Sequence, residues 1–467
     1  MRKRIALVVL VALAGCTTLG PDYRAPEAGA LAVPDIYYGG PGAAPATTEN
    51  LARWWERFDD PLLTRLIDEA SAGNLDLAQA GSRLIQARES LVQARAGLVP
   101  QVGASAGAGR DFGPGDDRSS FSVGADAAWE IDLFGRIRRG IEAAGADAQG
   151  VYFDREALRV AIAAEVATNY VQARLAQERL ALARDTLAIA DDNLQIARWR
   201  VEAGLASSLD SEQARAARAQ TAASIPNIEN AFTSATYRLA VLTGRAPGAL
   251  TAELAAARPI PQGPDEVATG IPADTLRQRP DVRAAERSLA AQTARIGVAE
   301  AQLYPALRLS GNIGTSAFSL GGLFSAITGG IFSGLSQTLF DGGRLRSQLR
   351  SQQAATEGSL AAYRQSVLTA LEEVENALIA LRAARERQVQ FAIALEAAGN
   401  TAILARTQYR SGLTDFQQLL EAERSLLSAR DGMADSRGDE ALALVQLYRA
   451  LGGGWDSAAA PEFGTSR

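Results

Sequence analysis

Two kinds of residue in this chain could do chemistry, and neither forms a catalytic set. The first is Cys16, the only cysteine in 467 residues. It closes "LAGC", after the basic "MRKR" and the apolar run "IALVVLVALAG" at 5–15. That run is too short to span a membrane. Small residues before a single Cys at this place match a bacterial lipobox. Processing there removes 1–15 as a signal peptide, and the new N-terminal Cys16 takes covalent lipid on its thiol and its amine. Several acyl chains, at about 0.8 kcal/mol per buried CH₂, anchor a protein firmly. Thr17 follows, not the Asp that resembles an inner-membrane retention signal, so the expected destination is the outer membrane. The second kind is the polar and charged residues around two sharp turns, "ARWRVEAGLASSL" (197–209) and "ARTQYRSGLTDF" (405–416). Asp210, Glu212, Asp415 and Glu421 stand at or just after them. Carboxylates repeated around a symmetry axis select cations. Plain capping is the competing account: Gly204 and Gly412 suit left-handed helix ends, and Thr414 or Asp415 suits a helix start.

Other chemistry is excluded residue by residue. There is no histidine, so no Ser-His-Asp triad and no imidazole metal ligand. One Cys cannot build a thiolate zinc site. Lys3 is the only lysine, so no phosphate-binding G-x-x-x-x-G-K-[ST] loop exists. Glu372, Glu373 and Glu375 read as the solvated face of a helix. The formal charge is −6, and more negative once Arg2, Lys3 and Arg4 are removed, which argues against a nucleic-acid partner. No cofactor is expected beyond the lipid on Cys16.

The elements that hold the two turns repeat. "ARAGLVPQV" (94–102) matches "AEAQLYPAL" (299–307), 205 residues apart at Pro100 and Pro305. "DLFGRIR" (132–138) matches "TLFDGGRLR" (338–346), 208 apart at Arg136 and Arg344. Gly204 and Gly412 are also 208 apart. Each half reads helix, two strands, very long helix, turn, return helix. The first repeat is placed at 61–243 and the second at 273–451. The Pro/Gly-rich stretch 244–272 joins them, 16–60 precedes them as an anchored segment, and 452–467 reads as a flexible tail.

First helices are expected at about 61–98 and 279–303. The first hairpin, about 101–131, has "FGPGDD" as its loop. Its second strand alternates, with Phe121, Val123, Ala125, Ala127, Trp129 and Ile131 on one face. Ten residues of such alternation fit a transmembrane β-strand. The second hairpin, about 305–340, is Gly- and Ser-rich and alternates less clearly. The long helices are expected at 136–203 and 344–411, with Val367, Leu371, Val374, Leu378 and Leu381 spaced as a coiled-coil seam. Return helices follow at 208–243, bent at Pro226, and at 415–451.

A helix of this length reaches about 100 Å at 1.5 Å per residue, which no compact core requires. Four membrane-length strands cannot close on themselves, because hydrocarbon tolerates no open sheet edge and small barrels begin at eight strands. Other copies must complete them; geometry alone permits a dimer or a trimer. A lipid-anchored coiled-coil tether without a pore would account for the lipobox and helices, but not for the hairpins.

The pieces "LAGCTTLGPDYRAP" (13–26), "WWERFDDPLLTRLI" (54–67), "WEIDLFGRIRRGIEAA" (129–144), "LRQRPDVRAAERSLAAQTARIGVAEAQLYPAL" (276–307) and "GLTDFQQLLEAERSLL" (412–427) span nearly the whole chain. On them the sequence resembles the TolC-like outer membrane efflux proteins, in the OprM/NodT lipoprotein branch. The resemblance implies a mainly α chain with a transmembrane β portion. It implies a homotrimer: a twelve-stranded β-barrel continued by a long α-helical barrel across the periplasm. It also implies a periplasmic membrane-fusion adaptor and an inner-membrane pump of the resistance-nodulation-division (RND) type. The function implied is passive export of drugs or other small molecules, with protein or siderophore export as the alternative on the same fold. The aperture residues implied are Asp415, Tyr409, Arg410, Glu421 and Asp210. The adaptor would meet the tips at Gly204, Leu205, Gly412 and Leu413, although packing accounts for the leucines equally well. One departure stands out: such proteins often carry an Asp where this chain has Gln418.

Overall fold

The computed structural model describes residues 18–31, 33–38, 51–113, 118–267 and 272–457. Cys16, the loop residues 114–117 and the tail beyond 457 lie outside them. The principal elements are α1 (Pro61–Gly73), α2 (Leu75–Ala96), β1 (Gln101–Asp111), β2 (Arg118–Ile131), α3 (Arg136–Glu202), α4 (Ser208–Leu242), α5 (Pro280–Ala301), β3 (Ala306–Ala317), β4 (Thr328–Ser336), α6 (Arg344–Arg410) and α7 (Phe416–Ala450). The duplication is visible in their lengths. α3 and α6 each have 67 residues, α4 and α7 each have 35, and α2 and α5 each have 22.

The strands form one antiparallel sheet in the order β1-β2-β3-β4. The central β2–β3 pair joins the halves, with Trp129 opposite Leu309 and Glu130 opposite Arg308. The outer edges of β1 and β4 have no partner among the described residues. No helix among the described residues is long and apolar enough to cross a membrane.

Below the sheet, the core is a belt where both halves meet. Trp54, Leu63, Leu66, Tyr170, Leu239, Val374, Leu444 and Tyr448 are buried there, and the Trp54 and Tyr448 rings stack 5.3 Å apart. The coiled-coil seam is in place: Val367, Val374, Leu378 and Leu381 are buried, and Leu371 packs against them. Arg174, fully buried, donates to the Ala256 carbonyl at 2.9 Å, and Gln177 donates to the Leu254 carbonyl at 2.6 Å. The joining stretch is therefore tied to α3 at Leu254 and Ala256.

Three expectations are corrected. The 61–98 helix is two helices, because Asn74 ends one and caps the next. Its side chain accepts from Asp76 and Leu77 backbone N–H groups and donates to the Leu242 carbonyl at 3.0 Å. The second hairpin starts near the expected 305 but is shorter than 305–340, since β4 ends at Ser336. The tail does not become free at 452. Gly452 to Trp455 are buried, and Trp455 donates to the Gln278 carbonyl at 3.0 Å. The indole is too apolar to leave in water once the closing belt offers it a site. Pro226 lies within a continuous α4.

Candidate functional site

The two turns lie side by side at the end of the helices remote from the sheet. Each ends its long helix with the same backbone device. Gly204 and Gly412 take φ of +70° and +73°, a region where a side chain is strained. The N–H of Leu205 returns to the Arg200 carbonyl and that of Gly204 to Val201. In the second tip, Leu413 returns to Gln408 and Gly412 to Tyr409, at 2.8–3.0 Å throughout. These are paired Schellman closures, which satisfy the last carbonyls of each helix. The next helix is then capped by a side chain: Ser207 accepts from the Leu209 N–H at 3.2 Å, and Asp415 from the Gln418 N–H at 2.9 Å. The glycine helix ends and a cap at 414–415 are as the sequence predicts, with Asp415 and not Thr414 as the cap, whereas the Ser207 cap was not read. Thr414 instead donates to the Gln418 side-chain oxygen.

The tips pack on each other through a small core of Leu194, Ala197, Ala214, Ala405, Tyr409, Phe416, Leu419 and Ala422. Tyr409 is its centre. Its exposure is 1%, its ring lies 5.6 Å from that of Phe416, and the Arg200 guanidinium covers it at 4.6 Å. Arg200 also donates to the Tyr409 carbonyl at 2.5 Å. Burial pushes the Tyr409 hydroxyl pKa up; the Arg200 charge opposes this and Asp210 reinforces it. Tyr409 as a side chain lining an aperture is thus corrected: in this arrangement it is an internal packing residue, enclosed because a phenyl ring at the closest approach of two helices cannot stay wet.

The other residues named from the sequence stay at the surface. Asp415, Arg410 and Glu421 are exposed and Asp210 is half-exposed. Glu212 is paired with Arg215 at 2.7 Å. Leu205 and Leu413 are 70% and 79% exposed, so neither is a packing residue within the chain. Further along, Arg406 holds Glu423 with two bonds, one of them at 2.8 Å; that contact raises the Arg406 pKa against the opposing effect of burial. A cleft of about 380 Å³ opens beside it between α3, α4 and α7, lined by Arg179, Asn193, Gln220, Arg424 and Asp431 among others. Burial raises the Asp431 pKa, with Arg179 opposing. No group of three or more potential metal-ligating side chains occurs among the described residues.

Arg200 and Phe416 escaped the sequence reading. A signal existed: Arg200 pairs with Gln408 across the duplication and Phe416 with Ser208, so both break the repeat where the helix ends coincide.

The family model described as "Outer membrane efflux protein" matches residues 66–245 and 271–453. This chain belongs to that family. The efflux protein is 32% identical over 457 residues to nodulation protein T of Rhizobium leguminosarum bv. trifolii, covering 96% of each. It is 32% identical to outer membrane protein OprJ of Pseudomonas aeruginosa, covering 97% of this chain and 95% of that one. Among solved structures it is similar to the outer-membrane channel OprN, at 36% identity and a TM-score of 0.86. That match covers 94% of this chain and 99% of the other. The open state of the Neisseria gonorrhoeae MtrE channel matches at 28% identity and a TM-score of 0.85, covering 94% and 99%. The efflux protein is a transport protein and not an enzyme, and it is an outer membrane channel that extends into the periplasm.

Proposed function

We propose that three copies of the chain form the conduit of a tripartite efflux system. The observation that carries this reading is that the outer edges of β1 and β4 have no partner among the described residues, which leaves these four strands unable to close alone. A homotrimer supplies twelve strands and sets six helical tips in a ring. Acyl chains on Cys16 add a second hold on the outer membrane. The channel is passive, and energy comes from an inner-membrane pump of the RND type through a periplasmic membrane-fusion adaptor. The adaptor meets the tips at Gly204, Leu205, Gly412 and Leu413; a leucine held in water by a fixed turn is a natural docking knob. Asp415, Glu421, Arg410 and Asp210 set the charge of the opening, with Asp415 the leading carboxylate.

The transported cargo is a drug or another small molecule. Drug export is favoured, because a relative at 30% identity is the antibiotic efflux pump outer membrane protein ArpC of Pseudomonas putida, and siderophore export is the second reading, because a relative at 32% identity is the pyoverdine export outer membrane protein OpmQ of Pseudomonas putida. Deleting the gene and screening toxicity and siderophore release separates the two. For the channel itself, the mature acylated protein in a planar bilayer is expected to show a small, cation-preferring conductance. Asp415→Ala should change cation preference or divalent block. An unchanged response removes Asp415 from the aperture.

A further inference from the structure

Arg139 is 4% exposed, yet it lies on α3 just below the sheet, far from the tips. Its partners explain the burial. Its Nε donates to the Leu19 carbonyl at 2.9 Å, and Nη2 to the Gly20 carbonyl at 3.0 Å and the Asp22 carboxylate at 2.7 Å. Nη1 reaches Glu142 at 2.7 Å. The N–H of Leu19 bonds the Phe134 carbonyl at 3.2 Å. Four polar contacts therefore hold the chain at 18–22, three of them made by Arg139 and the fourth by the Phe134 carbonyl at the β2–α3 junction.

The fit is steric as well. Gly20 has φ +86°, and a Cβ there would stand 2.4 Å from the Gly297 Cα. A Cβ on Gly297 would stand 2.7 Å from the Leu19 carbonyl oxygen and 2.8 Å from the Arg139 side chain. A Cβ on Gly135 would strike Thr18. Two backbones meet at a Gly–Gly contact that admits no side chain on either. The segment so held bridges the start of α3 and the end of α5, the roots of both hairpins. It then continues along the helices: Tyr23 donates to Glu286 at 3.1 Å, and the Tyr38 N–H donates to Glu375 at 2.7 Å.

The duplication provides an internal control. The residue that matches Arg139 in the second half is Ser347, and the residue that matches Gly297 in the first half is Val92, which is exposed. Gly343, the counterpart of Gly135, has nothing within 4 Å of a built Cβ. Helix geometry alone therefore does not require these residues; they depart from the repeat where the strap lies.

We propose that Gly20, Gly297 and Arg139 form a latch that sets the position of the lipid anchor relative to the barrel. Thr18 lies two positions after Cys16, so the acylated residue is tethered within about 7 Å of the latched chain. Lipid and sheet are thereby registered to one membrane height. The inference uses the expected acylation of Cys16 but not the identity of pump or cargo.

The test uses the full-length, acylated protein in vesicles. With Lys3 removed and the Cys16 amine acylated, an amine-reactive dye should find no site, which verifies the anchor. A thiol introduced at exposed Pro21 is then the only free one and carries a fluorophore, with quenchers placed on the lipid headgroups. In the parent the label should be strongly quenched, and the 18–22 amides should exchange slowly. Gly20→Ala and, separately, Arg139→Gln should at least halve the quenching and raise 18–22 exchange at least tenfold. Exchange in α3 and α5 should stay unchanged. Unchanged quenching and exchange in both variants overturns the latch. Faster exchange throughout α3 and α5 also overturns it, by assigning these residues to general stability. Bilayer conductance of the parent, measured on the same preparation, tests the channel reading separately.

Discussion

The two tips share a backbone and a Gly-Leu turn and differ in the large side chains that meet between them. Both close with a left-handed glycine, both use the same pair of returning hydrogen bonds, and both end helices of equal length. Yet the second tip supplies Tyr409 and Phe416 to the shared core, and the first supplies Arg200, which covers the tyrosine and binds its carbonyl. The caps differ too, a serine on one side and a carboxylate on the other. What the halves kept in common is what a closed ring of staves demands: length and turn geometry. What they let diverge is the chemistry at the meeting point, which makes the two tips a complementary pair and not two copies of one site.

The largest effect should come from breaking the equality of length. Inserting seven residues into both α6 and α7 lengthens one hairpin by about 10 Å and keeps the helical phase of a heptad. Heat-resistant trimer and export should both be lost. The matched insertion in α3 and α4 as well should restore the trimer on a gel, although the adaptor fit changes. Recovery by the second insertion is the critical result; if the single insertion is tolerated, the staves need not match.

Next in size is Tyr409→Ala. Emptying so buried a ring site should cost about 3–5 kcal/mol locally. Val201→Ala, at the matching place in the first tip, removes a half-exposed side chain and should cost under about 1 kcal/mol. Tryptic cleavage at Arg410, followed over time, reads the difference. Gly204→Ala and Gly412→Ala should behave alike, each costing about 1–2 kcal/mol for the left-handed backbone, since nothing crowds either position. A large inequality between these two would show that the backbone is not the shared feature.

Much of this was legible in the sequence, for reasons that can be named. Gly412 and Gly204 announced the turns because few residues other than glycine accept that backbone. Pro280 marked the start of α5 because it suits a first turn. The seam from Val367 to Leu381 was readable from its spacing. Asn74 was not read as a break, since an asparagine within an otherwise periodic stretch resembles a tolerated surface residue. Its role depends on the Leu242 carbonyl, 168 residues away. Trp455 was assigned to a free tail because its neighbours are small and its partner Gln278 is remote. Tyr409 was placed at the aperture by the family resemblance alone, and its enclosure by Arg200 is not visible in sequence. Residues that act within one element were readable, whereas those that act between halves were not, except where they interrupt the repeat.

The smallest effect in stability carries the sharpest distinction. Asp415 and Ser207 occupy matching places, and each caps its return helix. Losing a capping side chain costs about 1 kcal/mol whichever residue supplied it, so Ser207→Ala and Asp415→Ala should shift tip stability by similar amounts in hydrogen exchange. Their electrical consequences should differ, because only one removes a charge. In a planar bilayer, Asp415→Ala should weaken cation preference and Ser207→Ala should leave it unchanged. Asp415→Asn should separate the two roles further, since asparagine caps about as well as aspartate but carries no charge. If Asp415→Asn keeps both stability and selectivity, Asp415 is a cap alone. The charge at the opening would then fall to Glu421 or Asp210.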